Sequence, residues 1–499
     1  MRPPAPRDAL LRFLTVAAFA ALMVFPAGPA AAALVAIAGV AAVRAARGAA
    51  RSRRRGRARE GTIALGADRS GRPVVIHEDD LAAHGLILGA SGAGKTTTLL
   101  TILTHQVGRG RPVVAIDMKG SPAFTRTLAE AAAAAGRPLR VWTLDGGAYW
   151  NPLAHGNATE LKDKLIATER FTEPHYQRAA ERYVQTVLQV AARTHPDRPP
   201  TLQEVVALMD PRRLAGSLRN LDRPLRERTQ DYLAGLTPDQ HSAIRGLQTR
   251  LAVLTESHTG AFLGPPADER SQVVDLREAL SGPEVVVFSL NSSRYGKLAS
   301  QIGTLVVQDL VAACGNRLIE GSDAGTPPAA VIGIDEFSAL GADHVIGLLA
   351  RGRESGMRGL VATQELADLD RAAPGLRDQV LGNTALKIAH RQEVPGSANT
   401  IAQIVGTEMV WDRTYQTGGP LIGGHGTRGT RRQVERFVVD PNEIKSLPTG
   451  EAVVIAKLRG GKPRTVRITP PPRRPSPPHR PSPPHLPSPQ HGRPPDLGR

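Results

Sequence analysis

The feature that most constrains the fold is a glycine-rich stretch between an apolar run and a helix-compatible run. Residues 86–88 read LIL, residues 89–96 read GASGAGKT, and residues 97–103 read TTLLTIL. In the order strand, G-x-x-x-x-G-K-T, helix, backbone N–H groups curl around phosphates at the N-terminus of the helix. The stretch therefore predicts a P-loop in an α/β domain.

The predicted nucleotide-binding residues are those of the P-loop and the residue after it. Lys95 is expected to reach the β- and γ-phosphates, and Thr96 to ligate Mg²⁺. The alternative is a fortuitous glycine-rich turn, but the strand and helix stand where phosphate binding needs them. We therefore predict that the chain binds ATP and Mg²⁺. The predicted set is Gly89, Ala90, Ser91, Gly92, Ala93, Gly94, Lys95, Thr96 and Thr97.

A second motif supplies carboxylates at the end of a predicted strand, AVIGIDEF at 330–337. A P-loop needs a carboxylate on a neighbouring strand to hold Mg²⁺, and Asp335 is the candidate. The adjacent Glu336 is predicted to polarise the attacking water. The alternative is a strand capped by two solvated acids. Together with the P-loop, the motif favours an ATP hydrolase.

The segment RGRESGMRGLVATQE at 351–365 supplies two further candidates. Gln364 ends a predicted strand, where its amide can lie between the water and the γ-phosphate; a glutamine at the core edge is the alternative. Arg353 is predicted to act on the ATP of a neighbouring subunit as an arginine finger. Arginines that compete for this role are Arg351, Arg358 and Arg391. Asp117 and Lys119, after the strand VVAID, either approach the nucleotide or a substrate, or form a solvated pair at the strand end.

The body of the chain alternates short apolar runs with helical stretches, the pattern of a parallel sheet buried on both faces. Residues 153–280 differ, because charged helical segments dominate there, and they predict an all-helical insertion. The ATPase domain is thus expected in two parts, 61–152 and 281–469. Strands are predicted at 113–117, 284–290, 330–335 and 359–363.

The N-terminal flank predicts a membrane anchor at 1–43. Residues 10–43 are almost wholly apolar and exceed the roughly 20 residues of one span without reaching two full spans. Two short transmembrane helices turning at Pro26–Pro29 would leave the arginines of both flanks, including the linker at 44–60, in the cytoplasm. Alternatives are one tilted helix or a cleaved signal peptide. We expect a multi-pass protein of the inner membrane with a cytoplasmic ATPase body.

The net charge of +17 belongs to the flanks, because residues 61–458 hold 43 basic and 43 acidic side chains. The tail at 470–499 repeats proline, serine and histidine and is expected to be disordered. The folded body is thus charge-neutral, and its sequence contains no basic-aromatic nucleic-acid motif.

Together the motifs resemble the coupling-protein branch of the FtsK/HerA group of P-loop motors, the type IV coupling proteins similar to TraD and TraG. The resemblance spans roughly residues 61–468 and the anchor. It rests on HGLILGASGAGKTTTL, AIDMKG, WNPL with the helical insertion after it, IDEFSALG, RGRESGMRGLVATQE and VVDPNEIKSLPTGEAVV.

This resemblance implies a RecA-like α/β fold, a homo-hexamer on the inner membrane, and ATP hydrolysis that links a DNA–relaxase substrate to the channel of a type IV secretion system. Relaxosome proteins, channel components, DNA and the membrane are the expected partners in conjugation. The short apolar segment departs from the family, because it leaves almost no extracytoplasmic domain. The site residues carried over are Lys95, Thr96, Asp335, Glu336, Gln364 and Arg353.

Two other functions remain open. One is an FtsK/HerA-like DNA pump in segregation, which the helical insertion disfavours. The other is a nucleotide-switched membrane scaffold without DNA, since DNA as a substrate follows from the resemblance alone.

Overall fold

The computed structural model describes most of the chain from residue 61 to residue 472. The predicted anchor at 1–43, the linker at 44–60 and residues 473–499 of the predicted tail lie outside the described residues. The described ranges are 61–169, 171, 173–266, 268–324, 328–340, 342–415, 429–458 and 460–472.

The described strands form one eleven-stranded sheet and a separate two-stranded hairpin. The strands are β1 (Thr62–Ala67), β2 (Pro73–His77), β3 (Gly85–Leu88), β4 (Val113–Asp117), β5 (Leu139–Thr143), β6 (Val285–Ser289), β7 (Ala330–Asp335), β8 (Met357–Thr363), β9 (Leu386–Ala389), β10 (Thr407–Tyr415), β11 (Gly429–Phe437), β12 (Glu451–Ala456) and β13 (Arg464–Ile468). The order in the large sheet is β2-β1-β13-β12-β9-β3-β8-β7-β4-β6-β5.

The seven strands from β9 to β5 are parallel, and β12, β13, β1 and β2 extend the sheet in antiparallel order. The predicted α/β class with a large parallel sheet is confirmed. All four predicted strands occur, two of them with the predicted bounds, because each is a buried apolar run. Strand β9 escaped prediction because its four residues, LKIA, include a lysine.

The helices cover both faces of the sheet. They are α1 (Lys95–Gly108), α2 (Pro122–Ala134), α3 (Ala158–Ile166), α4 (Pro174–Thr194), α5 (Leu202–Leu208), α6 (Pro211–Ser217), α7 (Arg223–Ala234), α8 (Pro238–Glu256), α9 (Leu276–Ser281), α10 (Ser292–Ala324), α11 (Ala342–Gly352), α12 (Leu366–Ala372), α13 (Leu376–Asn383), α14 (Pro395–Val405) and α15 (Pro441–Lys445). Short 3-10 helices lie at Glu78–Leu81, Leu218–Asn220, His258–Phe262 and Phe337–Ala339.

The core consists of two apolar layers, one on each face of the sheet. In β3 the side chains of Leu86 and Leu88 join one layer, and Ile87 joins the other. This alternation follows from the two-residue period of a strand. Helices α1 and α2 pack into the layer of Ile87, so the P-loop helix is held against the sheet by buried Leu99 and Leu103.

Helices α3 to α9 lie between β5 and β6 and occupy the region predicted as the insertion. A buried polar joint connects them to the ATPase body: Lys164 of α3 contacts Asp309 of α10 at 2.7 Å, and Trp150 donates to the same carboxylate at 3.2 Å. The Lys164 ammonium also donates to the carbonyl of Pro152. Two residues of the WNPL motif, Trp150 and Pro152, are therefore part of the joint. The domain boundaries stay a prediction.

Among the described residues, one helix is long and apolar enough to cross a membrane, Ser292–Ile319 of α10. Two thirds of its apolar window is buried inside the protein, which is typical of a core helix. The helix is interrupted near its start, where Gly296 has φ 44° and ψ −107°.

Candidate nucleotide-binding site

The P-loop connects the carboxyl end of β3 to the first turn of α1. Gly92 and Gly94 have φ values of 73° and 119°, a backbone region that only glycine adopts readily. Ala90 donates its N–H to the carbonyl of Arg391, and Gly89 donates to that of Gln364. The loop therefore lies in the crevice at the carboxyl ends of β3, β8 and β9, where open α/β sheets bind ligands.

Lys95 begins α1 and is 4% exposed. Its ammonium donates to the carbonyls of Gly89 at 2.6 Å and Ala90 at 3.2 Å, so the side chain folds back over the loop. Burial and the neighbouring Lys119 lower the pKa of Lys95, and the carboxylates of Glu336 and Asp335 oppose that shift. The cation thus lies inside the loop, beside acidic groups.

The contact that joins the two sequence motifs is a hydrogen bond from Thr96 to Asp335. The Thr96 hydroxyl donates to Asp335 Oδ2 at 2.7 Å across 239 residues of sequence. Asp335 ends β7, is fully buried, and its Oδ1 has no hydrogen-bond partner among the described residues. A hydroxyl and a buried carboxylate with a free oxygen are the hard oxygen ligands that suit Mg²⁺.

Glu336 adopts a left-handed backbone, with φ 59° and ψ 48°. That conformation costs a non-glycine residue about 1–3 kcal/mol and is concentrated at functional sites. Its carboxylate pairs with the ammonium of Lys119, N to O 2.9 Å, and the same nitrogen lies 3.7 Å from Asp335. The catalytic base predicted from the sequence is therefore held by a lysine.

Asp117 lies beside Asp335, because β4 and β7 are neighbours and these two residues are paired in register. Its carboxylate accepts the backbone N–H groups of Lys119 and Ser121, which fixes the turn after β4. Burial raises the pKa of Asp117 to about 6, and the charge of Asp335 adds to the effect. Asp117 and Lys119 thus belong to the site rather than to a solvated pair.

The structure separates Gln364 from Arg353. Gln364 follows β8 at its carboxyl end beside the P-loop, whereas Arg353 is exposed in the loop before β8. Seven strand residues span roughly 20 Å, so Arg353 does not reach the site of its own chain. Arg358 is half-buried against Glu78 at 3.4 Å, and Arg391 contacts Glu393 at 2.9 Å. The arginine finger stays a prediction.

Sequence reasoning missed a buried histidine beneath the P-loop. His390 Nδ1 lies 2.9 Å from the carbonyl of Glu451 and must donate to it, so Nε2 accepts from the hydroxyl of Thr98. Burial lowers the pKa of His390 to about 4, so the ring is neutral. Gly450 also donates its N–H to the carbonyl of Ala93 at 2.9 Å. The C-terminal segment at Gly450 and Glu451 therefore stabilises the P-loop, directly through Ala93 and indirectly through His390.

Two family models match the chain. The model of the FtsK/SpoIIIE family matches residues 44–118, which include the P-loop, and the model of the TraM recognition site of TraD and TraG matches residues 330–449, which include Asp335 and Gln364. No curated protein matches the sequence.

Solved structures of coupling proteins share the fold at low sequence identity. The unbound bacterial conjugative coupling protein TrwBdeltaN70 is 16% identical with a TM-score of 0.57, covering 83% of this chain and 90% of its own. The plasmid coupling protein TrwB in complex with ADP and Mg²⁺ is 16% identical with a TM-score of 0.54, covering 81% and 89%. VirB4 of Thermoanaerobacter pseudethanolicus is 14% identical with a TM-score of 0.52, covering 82% and 96%.

The parallel sheet, the P-loop and the buried contact between Thr96 and Asp335 define a P-loop ATPase. Within the P-loop ATPases, the two family models and the fold shared with TrwB point to the coupling proteins. The predicted resemblance to the type IV coupling proteins of the FtsK/HerA group is therefore confirmed.

Proposed function

We propose that the chain is a membrane-anchored hexameric ATPase that couples ATP hydrolysis to the transfer of relaxase-bound DNA in conjugation or type IV secretion. The observation that carries the proposal is the hydrogen bond from Thr96 to Asp335, which unites the P-loop with the carboxylate strand. It lies in a fold shared with a conjugative coupling protein, and each of the two segments it joins matches a family model.

The residues present fit ATP and Mg²⁺. The backbone from Gly89 to Thr97 would hold the phosphates at the N-terminus of α1, with Lys95 as the buried cation of the loop. Thr96 and Asp335 would hold Mg²⁺, for which the unpaired Oδ1 of Asp335 is available. When bound, Mg²⁺ neutralises phosphate charge during the transfer of the phosphoryl group.

Glu336 is proposed to orient and polarise the attacking water, with Gln364 beside the loop as a second polar contact. Lys119 compensates the charge of Glu336 while the two side chains are paired. The Glu336 oxygen that would face the water is in contact with the ammonium of Lys119, so Glu336 must separate from Lys119 before this oxygen can orient a water. Lys119 is thus a positioning residue for the base.

A second candidate function is a pump for duplex DNA, which the FtsK/SpoIIIE match at residues 44–118 favours. The TraD and TraG match over residues 330–449 and the TrwB fold favour transfer instead. The proposal of a coupling ATPase also includes the predicted architecture. This comprises the membrane anchor at 1–43 with its two spans, the hexamer, and a helical insertion domain at 153–280.

A complementation assay tests this function. A donor strain that lacks the gene receives wild type, Lys95→Ala or Lys462→Ala, the last as a control at an exposed lysine. Wild type and Lys462→Ala should restore plasmid transfer, and Lys95→Ala should not. Full transfer in the deletion strain, with plasmid or chromosome segregation impaired instead, would favour the duplex pump.

A further inference from the structure

The hairpin of β10 and β11 stands outside the large sheet, and one of its faces exposes a methionine and a tryptophan. Because paired residues of an antiparallel hairpin share a face, the register places Met409, Trp411 and Arg413 on one side. The side chains of Met409 and Trp411 are 60% and 59% exposed. Their partners on β11 are Glu435, Gln433 and Arg431.

This face contains two arginines directly opposite each other, Arg413 and Arg431. Like charges in this position destabilise a hairpin, and neither side chain forms an ion pair within the described part of the chain. The guanidinium of Arg431 lies 5.8 Å from the centre of the Trp411 ring. The acid on this face, Glu435, accepts a hydrogen bond from the hydroxyl of Thr407 and faces Met409 rather than the arginines.

The other face of the hairpin is balanced. Arg432 lies opposite Asp412 and contacts it at 3.9 Å, and Arg436 lies opposite Glu408. Each arginine on this face is therefore matched by an acid on the partner strand. The uncompensated charge and the exposed aromatic ring are thus concentrated on one face.

We propose that the face formed by Met409, Trp411, Arg413, Arg431 and Gln433 binds a strand of nucleic acid. An exposed ring offers a stacking platform for a base, and paired arginines beside it suit consecutive phosphates. A phosphate between Arg413 and Arg431 would remove the repulsion that the hairpin otherwise carries. The proposal rests on the proposed function, because it names the element that would contact the transferred DNA.

This surface cannot be recognised from the sequence alone. Trp411 and Arg431 are separated by 20 positions, and only the strand pairing brings them to one face. The body as a whole is charge-neutral, so the excess of positive charge at Arg413 and Arg431 appears only when the local strand pairing is known.

Residues 330–449, which match the TraM recognition model, include the hairpin, so a protein partner is the competing occupant.

Tryptophan fluorescence gives a direct test. The chain has three tryptophans, of which Trp142 and Trp150 are 0% and 1% exposed and Trp411 is 59% exposed. Titration of the full-length protein with a single-stranded thymidine 30-mer should quench the red-shifted emission of Trp411. The buried tryptophans should stay unchanged, and Trp411→Phe should remove the quenched component while it keeps a ring for stacking. Saturable DNA binding without quenching would overturn the proposal.

Variants on the two faces supply matched controls. Trp411→Ala should weaken binding of the 30-mer about 10-fold. Arg413→Ala and Arg431→Ala should each lower the dependence of log affinity on log salt by roughly 0.7 for a single strand. The melting temperature of both arginine variants should be equal to or above that of wild type, because the repulsion is relieved. Arg432→Ala and Arg436→Ala, on the balanced face, should bind like wild type.

The outcomes separate this inference from the proposed function. If wild type binds DNA and the variants on the two faces behave alike, whether all lose affinity or none does, the proposed hairpin face is not the binding site. The proposed coupling function is unaffected by that result. If wild type binds no DNA, both proposals fail. If the exposed-face variants bind DNA normally and lose a protein of the relaxosome, the face is a protein-docking surface and the inference is wrong.

Discussion

Lys95 and Glu336 lie at the two ends of one network of charges, since Lys119 is close to both. Their substitutions should have different effects. Lys95→Ala removes the buried cation of the loop and should abolish hydrolysis and weaken nucleotide binding. Glu336→Gln keeps the shape of the side chain, so ATP should stay bound while turnover falls by about 10²- to 10⁴-fold.

Equilibrium binding of a fluorescent ATP analogue and steady-state phosphate release distinguish the two effects. Glu354→Gln, at an exposed glutamate between α11 and β8, is the control and should resemble wild type. Wild-type turnover in either site variant would contradict the assignment of that residue.

His84 predicts a specific pH dependence of stability. It is 2% exposed, its Nδ1 accepts the N–H of Gly359 at 2.9 Å, and burial lowers its pKa to about 4. The unfolded pKa is about 6.5, so the contribution of the neutral ring is complete above pH 6.5 and is lost as the pH falls towards 4. The loss amounts to about 3 kcal/mol.

The matched variant is His84→Asn. Asparagine keeps an acceptor and tolerates the left-handed backbone of residue 84, where φ is 58°. The free energy of unfolding, measured in urea from pH 7 to pH 4, should fall less steeply in the variant. The slope should not vanish, because burial also lowers the pKa of His390 to about 4. Identical slopes in variant and wild type would show that His84 titrates normally.

At the scale of elements, the helical insertion is attached through a buried ion pair. The side chains of Lys164 and Asp309 are 2% and 9% exposed. Lys164→Ala leaves a buried carboxylate without its cation and should cost about 3–5 kcal/mol. The double variant Lys164→Met with Asp309→Leu removes both charges and should recover part of that loss.

Urea unfolding of the single and double variants measures what it costs to leave the Asp309 carboxylate without its cation. Lys162→Ala is the control, because Lys162 contacts only Asp163, an exposed acid, among the ion pairs of the described residues. A loss in the double variant as large as in Lys164→Ala would mean that the buried carboxylate left without its cation carries no penalty, which would contradict this prediction.

The same elements show what a sequence can predict. Residues 89–96 were recognisable because P-loop chemistry needs its residues at fixed local spacing. Strand β7 was recognisable because burial on both faces makes it continuously apolar. His390 was missed as a site residue, and the role of Lys119 was left open, because their contacts with Thr98 and Glu336 join segments that only the fold brings together. The hairpin was missed because its pattern alternates between two exposed faces.

For the whole molecule, the proposed hexamer is a ring-shaped motor in which one subunit completes the site of the next. Arg353 is exposed and far from the P-loop of its own chain, so it can assist hydrolysis only in a neighbour. A finger contributes roughly 10³-fold or more in rate, about 4 kcal/mol of transition-state stabilisation. An arginine that merely lies on the surface cannot supply that amount.

The most direct measurement is the ATPase rate per subunit against protein concentration, with and without DNA, for wild type and Arg353→Ala. Arg351→Ala and Arg391→Ala are the matched controls. The wild-type rate should rise steeply with concentration and with DNA, and Arg353→Ala subunits should suppress it when they are mixed in. A rate per subunit that is independent of concentration, unchanged by DNA and equal in Arg353→Ala would contradict the ring motor.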